Sequence, residues 1–147
     1  MTTRIRPEIT PIDQAGIARA PVPYFVHFEP AAAVAAGAIV TVTFTLGAGR
    51  NFVCTHIGQT TNSVVFPGPG GQDFKINIED VTLSQRFAPQ RFLMRAITGT
   101  NPASSDSPAF ELPKPWTFFA QDSITVEFEN IGTMNCLPYL VLAGYLD

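Results

Sequence analysis

Four side chains in this sequence could meet as soft metal ligands: His27, Cys54, His56 and Cys136. Cys54 and His56 stand at i and i+2 in an apolar run, so on a β-strand they share a face, and a tetrahedral zinc site would need two more ligands. Structural zinc sites draw on paired C-x-x-C or H-x-x-x-H elements. A Cys and a His flanked by Phe52, Val53 and Ile57 read more simply as core and boundary residues. The same two histidines are the only imidazoles that could serve a nucleophile, and no G-x-S-x-G elbow accompanies them.

Other chemistry is thinner still. Glu127 and Glu129 share a strand face, as the carboxylates of a glycoside hydrolase could, but glutamates on the polar side of an alternating strand are ordinarily its solvated face. Residues 67–71, Pro-Gly-Pro-Gly-Gly, lack the Lys-Ser/Thr of a phosphate loop and precede a strand instead of a helix. Trp116, with Phe118 and Phe119 nearby, offers an aromatic platform for a sugar or a base. The stronger reading is a plug at the end of a core or an anchor in a subunit contact. The expectation is no catalytic residue, no cofactor and no metal, hence not an enzyme.

The elements around these residues are strands. In residues 39–46, Val40, Val42, Phe44 and Leu46 alternate with threonines, and in residues 123–130, Ile124, Val126 and Phe128 alternate with Thr125, Glu127 and Glu129. Phe74, Ile76 and Ile78 do the same, with a bulge near Glu79 and Asp80 expected to carry Val81 and Leu83 on in the same strand. Further strands are read at 24–29, 52–58, 91–98 and 112–119, the last bent or at an edge because of Pro113 and Pro115. Residues 137–146 are apolar on both parities, which fits a strand covered on both sides. Residues 99–108 hold no large apolar side chain and read as an exposed loop.

About eight strands with turn-rich spacers give an all-β fold: a jelly-roll or Greek-key β-sandwich over residues 24–147. Residues 1–23 hold four prolines and four scattered isoleucines without a period, and read as an extended N-terminal arm. They lack the continuous apolar core of a secretory signal, so export by that route is not expected, and no run reaches the length of a membrane span. Cys54 and Cys136 could meet, but one pair does not make a disulfide framework.

Composition points to surfaces. Charged residues are 14% of the 147, against about 25% in an ordinary domain, and the net charge is −3. Nucleic acid would need a basic stripe, which is missing. Lys, Glu and Asp are depleted at protein interfaces, so a charge-poor surface suits contact with other subunits. The charges are also segregated: Arg86, Arg91 and Arg95 lie in an acid-free stretch over 81–105, followed by six acids over 106–147, a pattern that could align neighbouring copies.

The C-terminal third carries Leu112-x-x-Pro115, then Ile124-x-Val126-x-Phe128-x-Asn130, and finally Leu142-x-Gly144-Tyr145. Over about forty residues this resembles the small β-sandwich structural proteins of tailed-bacteriophage virions, such as capsid decoration (cement) proteins. Ala120-Gln121-Asp122 stands where a glycine turn is expected. The resemblance implies a homo-oligomer, a trimer for preference, that sits on the capsid surface of the virion, made in the host cytoplasm, with the major capsid protein or another virion protein as partner. No nucleic acid, membrane or small-molecule substrate is implied. Candidate contacts are Arg4, Arg6, Pro7, Ile9 and Ile12 in the arm, with Trp116, Tyr139 and Tyr145. Two other readings suit the same fold: a glycan- or receptor-binding module that presents residues 99–108 and Trp116, and a tail or neck component.

Overall fold

Threonine alternating with valine over Ile39–Thr45, and acid alternating with aliphatic over Ser123–Asn130, favour extended chain with one dry and one wet face. A computed structural model describes residues 20–62, 74–94 and 110–147. Among the described residues the strands are β1 (Val22–Phe28), β2 (Ile39–Thr45), β3 (Phe52–Asn62), β4 (Phe74–Asp80), β5 (Gln85–Arg86), β6 (Phe92–Leu93), β7 (Phe110–Phe118), β8 (Ser123–Asn130) and β9 (Leu137–Leu146). They form two antiparallel sheets, ordered β1-β9-β3-β7 and β2-β8-β4-β5, with β6 also on β4. The first strand pairs with the last, the second with the second last, the third with β7, and the fourth with the short β5 and β6. This nested order is a long hairpin rolled into two facing sheets, the jelly roll. The expected fold class is what the chain adopts.

Local differences from the expectation each have a cause. Val81 and Leu83 do not continue β4. They are 45% and 43% exposed in a turn where Ser84 takes φ 55°, and Asp80 Oδ1 accepts the Leu83 N–H at 3.2 Å to close it. The strand read at 91–98 is only Phe92–Leu93 among the described residues; residues 95–98, the loop at 99–108, the glycine cluster at 67–71 and the arm through residue 19 lie outside them. The β7–β8 turn has no glycine, and Gln121 takes the left-handed conformation (φ 70°) that a glycine would adopt without strain. β9 is central in its sheet, as a strand apolar on both parities should be. Only one side is dry, however: Leu140 and Leu142 are in the core, while Tyr139, Val141 and Tyr145 are half-buried on the outer face.

The core between the sheets is built on phenylalanine. Phe28, Phe52, Phe74, Phe118 and Phe128 are fully buried with Ile57, Ile76, Ile78 and Ile124. Phe74 meets Phe128 edge-on, with ring centroids 6.4 Å apart at 89°, the geometry that the ring quadrupole favours.

One buried amide ties the end of β8 to the chain around it. Asn130 Nδ2 donates to the Val34 and Met134 carbonyls, both at 2.8 Å, and Oδ1 accepts the Gly132 N–H at 2.9 Å. Its backbone exchanges bonds with Gly37 and Ala38. Asn130→Ala removes all three side-chain bonds and leaves the Val34 carbonyl only the Cys136 N–H at 3.1 Å, and it is expected to cost about 2–3 kcal/mol in urea unfolding. Wild-type stability in this variant would show that water or a relaxed loop replaces the network.

Candidate interaction surfaces

A single extra residue decides the fate of the cysteine–histidine pair. The β3–β9 register steps from Cys54 opposite Gly144 to His56 opposite Ala143, which leaves Thr55 unpaired as a bulge. A bulge exchanges the two faces of everything beyond it. Cys54 is therefore inside, with no exposed surface, and His56 is outside, which corrects the expectation that they share a face. Burial pushes the Cys54 thiol up to about 12 and also raises Cys136, so both remain protonated and unreactive. The two cysteines are free and buried apart, Cys136 at the bridge to Val34. Among the described residues no three His, Cys, Asp or Glu side chains converge.

Thr55, His56 and Glu111 stand in the order of a nucleophile, a base and an acid. Thr55 Oγ1 is 2.8 Å from His56 Nδ1, and His56 Nε2 is 4.0 Å from Glu111 Oε2. The likeness stops at the order. Thr55 Oγ1 also donates to the Ala143 carbonyl at 3.3 Å inside the bulge, which engages its one proton with the backbone. Glu127 and Glu129 likewise have structural work: Arg91 reaches both, at 3.5 and 3.1 Å. Arg86 lies 3.6 Å from Glu79. Arg91 thus pairs the arginine-rich stretch with two acids of the acid-rich one within one molecule, on the outer face of the β2-β8-β4 sheet.

The opposite outer face is different. β1, β9 and β3 lie side by side and contain no Asp, Glu, Lys or Arg. Phe25 stands 66% exposed on β1, two residues from His27, whose ring stacks on Tyr139 at 5.0 Å and 17°. Val141, Ala143 and Tyr145 continue the same face along β9, because register sets Pro23 opposite Tyr145, Phe25 opposite Ala143 and His27 opposite Val141. Two predicted contact residues, Tyr139 and Tyr145, are therefore brought together here. Phe25 was passed over, although its place on alternating parity with Tyr24 and Val26 marks it as facing away from the core. Arg4, Arg6, Pro7, Ile9 and Ile12 lie outside the described residues, the first of which, Ala20, accepts a bond from Arg50 Nη2 on its carbonyl at 2.7 Å.

Trp116 belongs to neither outer face. Its ring lies 4.5 Å from Phe118 and 5.9 Å from Phe87, on the side of the roll where β7 faces β5 and β6. Phe118 is core, and Phe119 is 50% exposed beyond the strand end, so the three aromatic residues do not form one platform.

Sequence reading also missed a pair of buried acids. Asp80 at the end of β4 and Asp122 just before β8 are both buried, where the backbones of β4 and β8 converge. Asp122 Oδ2 accepts the Phe119 N–H at 2.8 Å, and Asp80 Oδ2 has no donor. Burial, then the hydrogen bond to Asp122, pushes Asp80 up to about 6. No signal short of the fold places these two residues together.

No protein-family model, curated protein or solved structure matches the chain.

Proposed function

We propose that this chain is a virion structural protein of a tailed phage, a capsid decoration (cement) protein that bridges head subunits. The observation that carries the reading is the outer face of β1, β9 and β3, which has no charge and presents Phe25, His27, Tyr139 and Tyr145. Aromatic enrichment and depletion of charge are what distinguish the centre of a protein interface from other surface. Three strands at about 4.8 Å spacing, and about 30 Å long, present roughly 430 Å² in projection. A standard interface buries about 800 Å² per partner. The arm supplies the balance, with its isoleucines against a second subunit, and joining two weak contacts in one chain raises the effective concentration of the second.

The reading is tested by sedimenting purified chain with mature heads of the phage that encodes it. Wild type is expected to pellet with heads and to run as a small oligomer, a trimer for preference. Phe25→Asp, at a site exposed enough to leave the fold intact, is expected to weaken pelleting at least about tenfold by placing an unpaired charge in the contact. A wild-type chain that stays monomeric and in the supernatant sinks the proposal. Binding to necks or tails in place of heads would move the same mechanism to the tail. A glycan- or receptor-binding module is the second reading, favoured by the position of Trp116 beside a concave surface.

A further inference from the structure

We infer that the open side of the roll, between β7 and the β5–β6 strands, is a binding site for a small amphipathic anion: an aliphatic or aromatic body carrying one carboxylate or sulfonate. This site is separate from the sheet face assigned to subunit contacts, and the sequence does not announce it.

Two interruptions of regular pairing create the site. On β7, the register passes from Glu111 opposite His56 to Trp116 opposite Cys54, so the chain at Leu112, Pro113, Lys114 and Pro115 swings out of the ladder. Pro113 and Pro115 have no N–H with which to continue it. On the facing sheet, β5 pairs with Glu79 and Asp80 and β6 with Lys75 and Ile76, and the chain between them arches away from β4. Asn77 fixes that arch: its Nδ2 donates to the Ala88 carbonyl at 2.9 Å and its Oδ1 accepts the Ala88 N–H at 3.3 Å. Among the described residues neither sheet closes this side, and the gap is a cleft of about 490 Å³.

Its size and lining select the ligand. The volume falls in the range of small-molecule sites, roughly 300–1,000 Å³. Phe87, Phe110, Leu112 and Trp116 form an apolar wall, and among the described residues the charged ones that line it are both cations, Arg86 and Lys114. Arg86 has Glu79 on one side at 3.6 Å, but that pair is exposed and the guanidinium has further donors to offer. The wall is preformed, since Phe87 packs at a tilt against Phe92, 5.4 Å away at 33°, and Trp116 against Phe118. An uncharged ligand would leave both cations unused, and a cationic one would be repelled.

Trp116 is the single tryptophan, so emission excited selectively in tryptophan reports on this cleft and not on the three tyrosines. Full-length chain is titrated with sodium decanoate below its micelle concentration, with decyltrimethylammonium as the charge-reversed probe. Decanoate is expected to change Trp116 emission saturably with one site and to raise the melting temperature. The ammonium probe and the Arg86→Gln, Lys114→Gln double variant should each bind at least about tenfold more weakly. Both replaced side chains are exposed, and an unchanged circular dichroism spectrum confirms that the variant folds. Phe25→Asp should leave decanoate binding unchanged, which separates failure of this site from failure of the subunit-contact reading. No saturable change, equal affinity for the two probes, or full affinity in the double variant would overturn the inference. So would emission that shifts with protein concentration alone, which assigns the cleft to a second copy of the chain.

Discussion

Gly144→Ala is expected to destabilise the fold by about 4 kcal/mol or more, a fall of roughly 12 °C or more in the thermal midpoint, or to yield insoluble protein. The reason is a backbone approach. A Cβ on Gly144 would overlap the Val53 carbonyl oxygen and lie 2.8 Å from its carbonyl carbon and 3.1 Å from Cys54 Cα. These atoms belong to the main chain of β3 beside the Thr55 bulge, so no side-chain rotation relieves the overlap. The central β3 and β9 strands would have to separate at the point where Cys54 opposes Gly144, breaking ladder bonds in the core of the sheet. Gly58→Ala is the control: a Cβ there meets nothing within 4 Å, and the change should stay within about 0.5 kcal/mol of wild type. A Gly144→Ala protein that melts within a degree or two of wild type would mean that the two strands do not approach as described.

Asp80→Asn is expected to raise stability at pH 7 to 8 by up to about 3 kcal/mol and to leave it unchanged near pH 4. In the folded chain the Asp80 carboxyl is pushed from 3.8 up to about 6, first by burial and then by the Asp122 carboxyl. A raised carboxyl means that the folded state holds the proton more tightly than the unfolded state. The resulting stability is complete below about pH 4 and is lost as pH rises through about 6. Above that, a buried carboxylate faces Asp122 with one oxygen, Oδ2, lacking any donor. Asparagine keeps an oxygen for the Leu83 N–H and offers an amide to Asp122, so it removes both the charge and the orphaned acceptor. Urea unfolding of the two proteins from pH 4 to 8 should show the gap opening between pH 4 and 6.5. The difference cancels every other titrating group. A gap that is constant with pH would mean that Asp80 is ionised throughout and that the pair shares no proton.

These two sites show where sequence reading reaches and where it stops. Alternation at Ile39–Thr45 and Ser123–Asn130 located two strands and their inward faces, because a half-buried strand repeats every two residues whatever it pairs with. Pro113 and Pro115 marked β7 as an edge strand for an equally local reason, the missing N–H, and β7 is the end of its sheet. Thr55 defeated the same reasoning. Nothing in Phe52, Val53, Cys54, Thr55 and His56 announces an extra residue, since a bulge is defined by the partner strand. The inference that Cys54 and His56 share a face failed with it.

The amino-acid sequence determined that this chain is a charge-poor β-sandwich with an uncharged last strand, since composition and period are properties of the chain itself. Tertiary structure alone decided which residues meet: His27 with Tyr139 on one face, Arg91 with Glu127 and Glu129 on the other, Asp80 with Asp122 in the interior, and Trp116 beside Arg86 at an open side. The pairs that carry charge or ring contacts across the fold are set by nested strand order, in which residues far apart in the chain become neighbours. That order follows from how the whole hairpin rolls, and no local pattern encodes it.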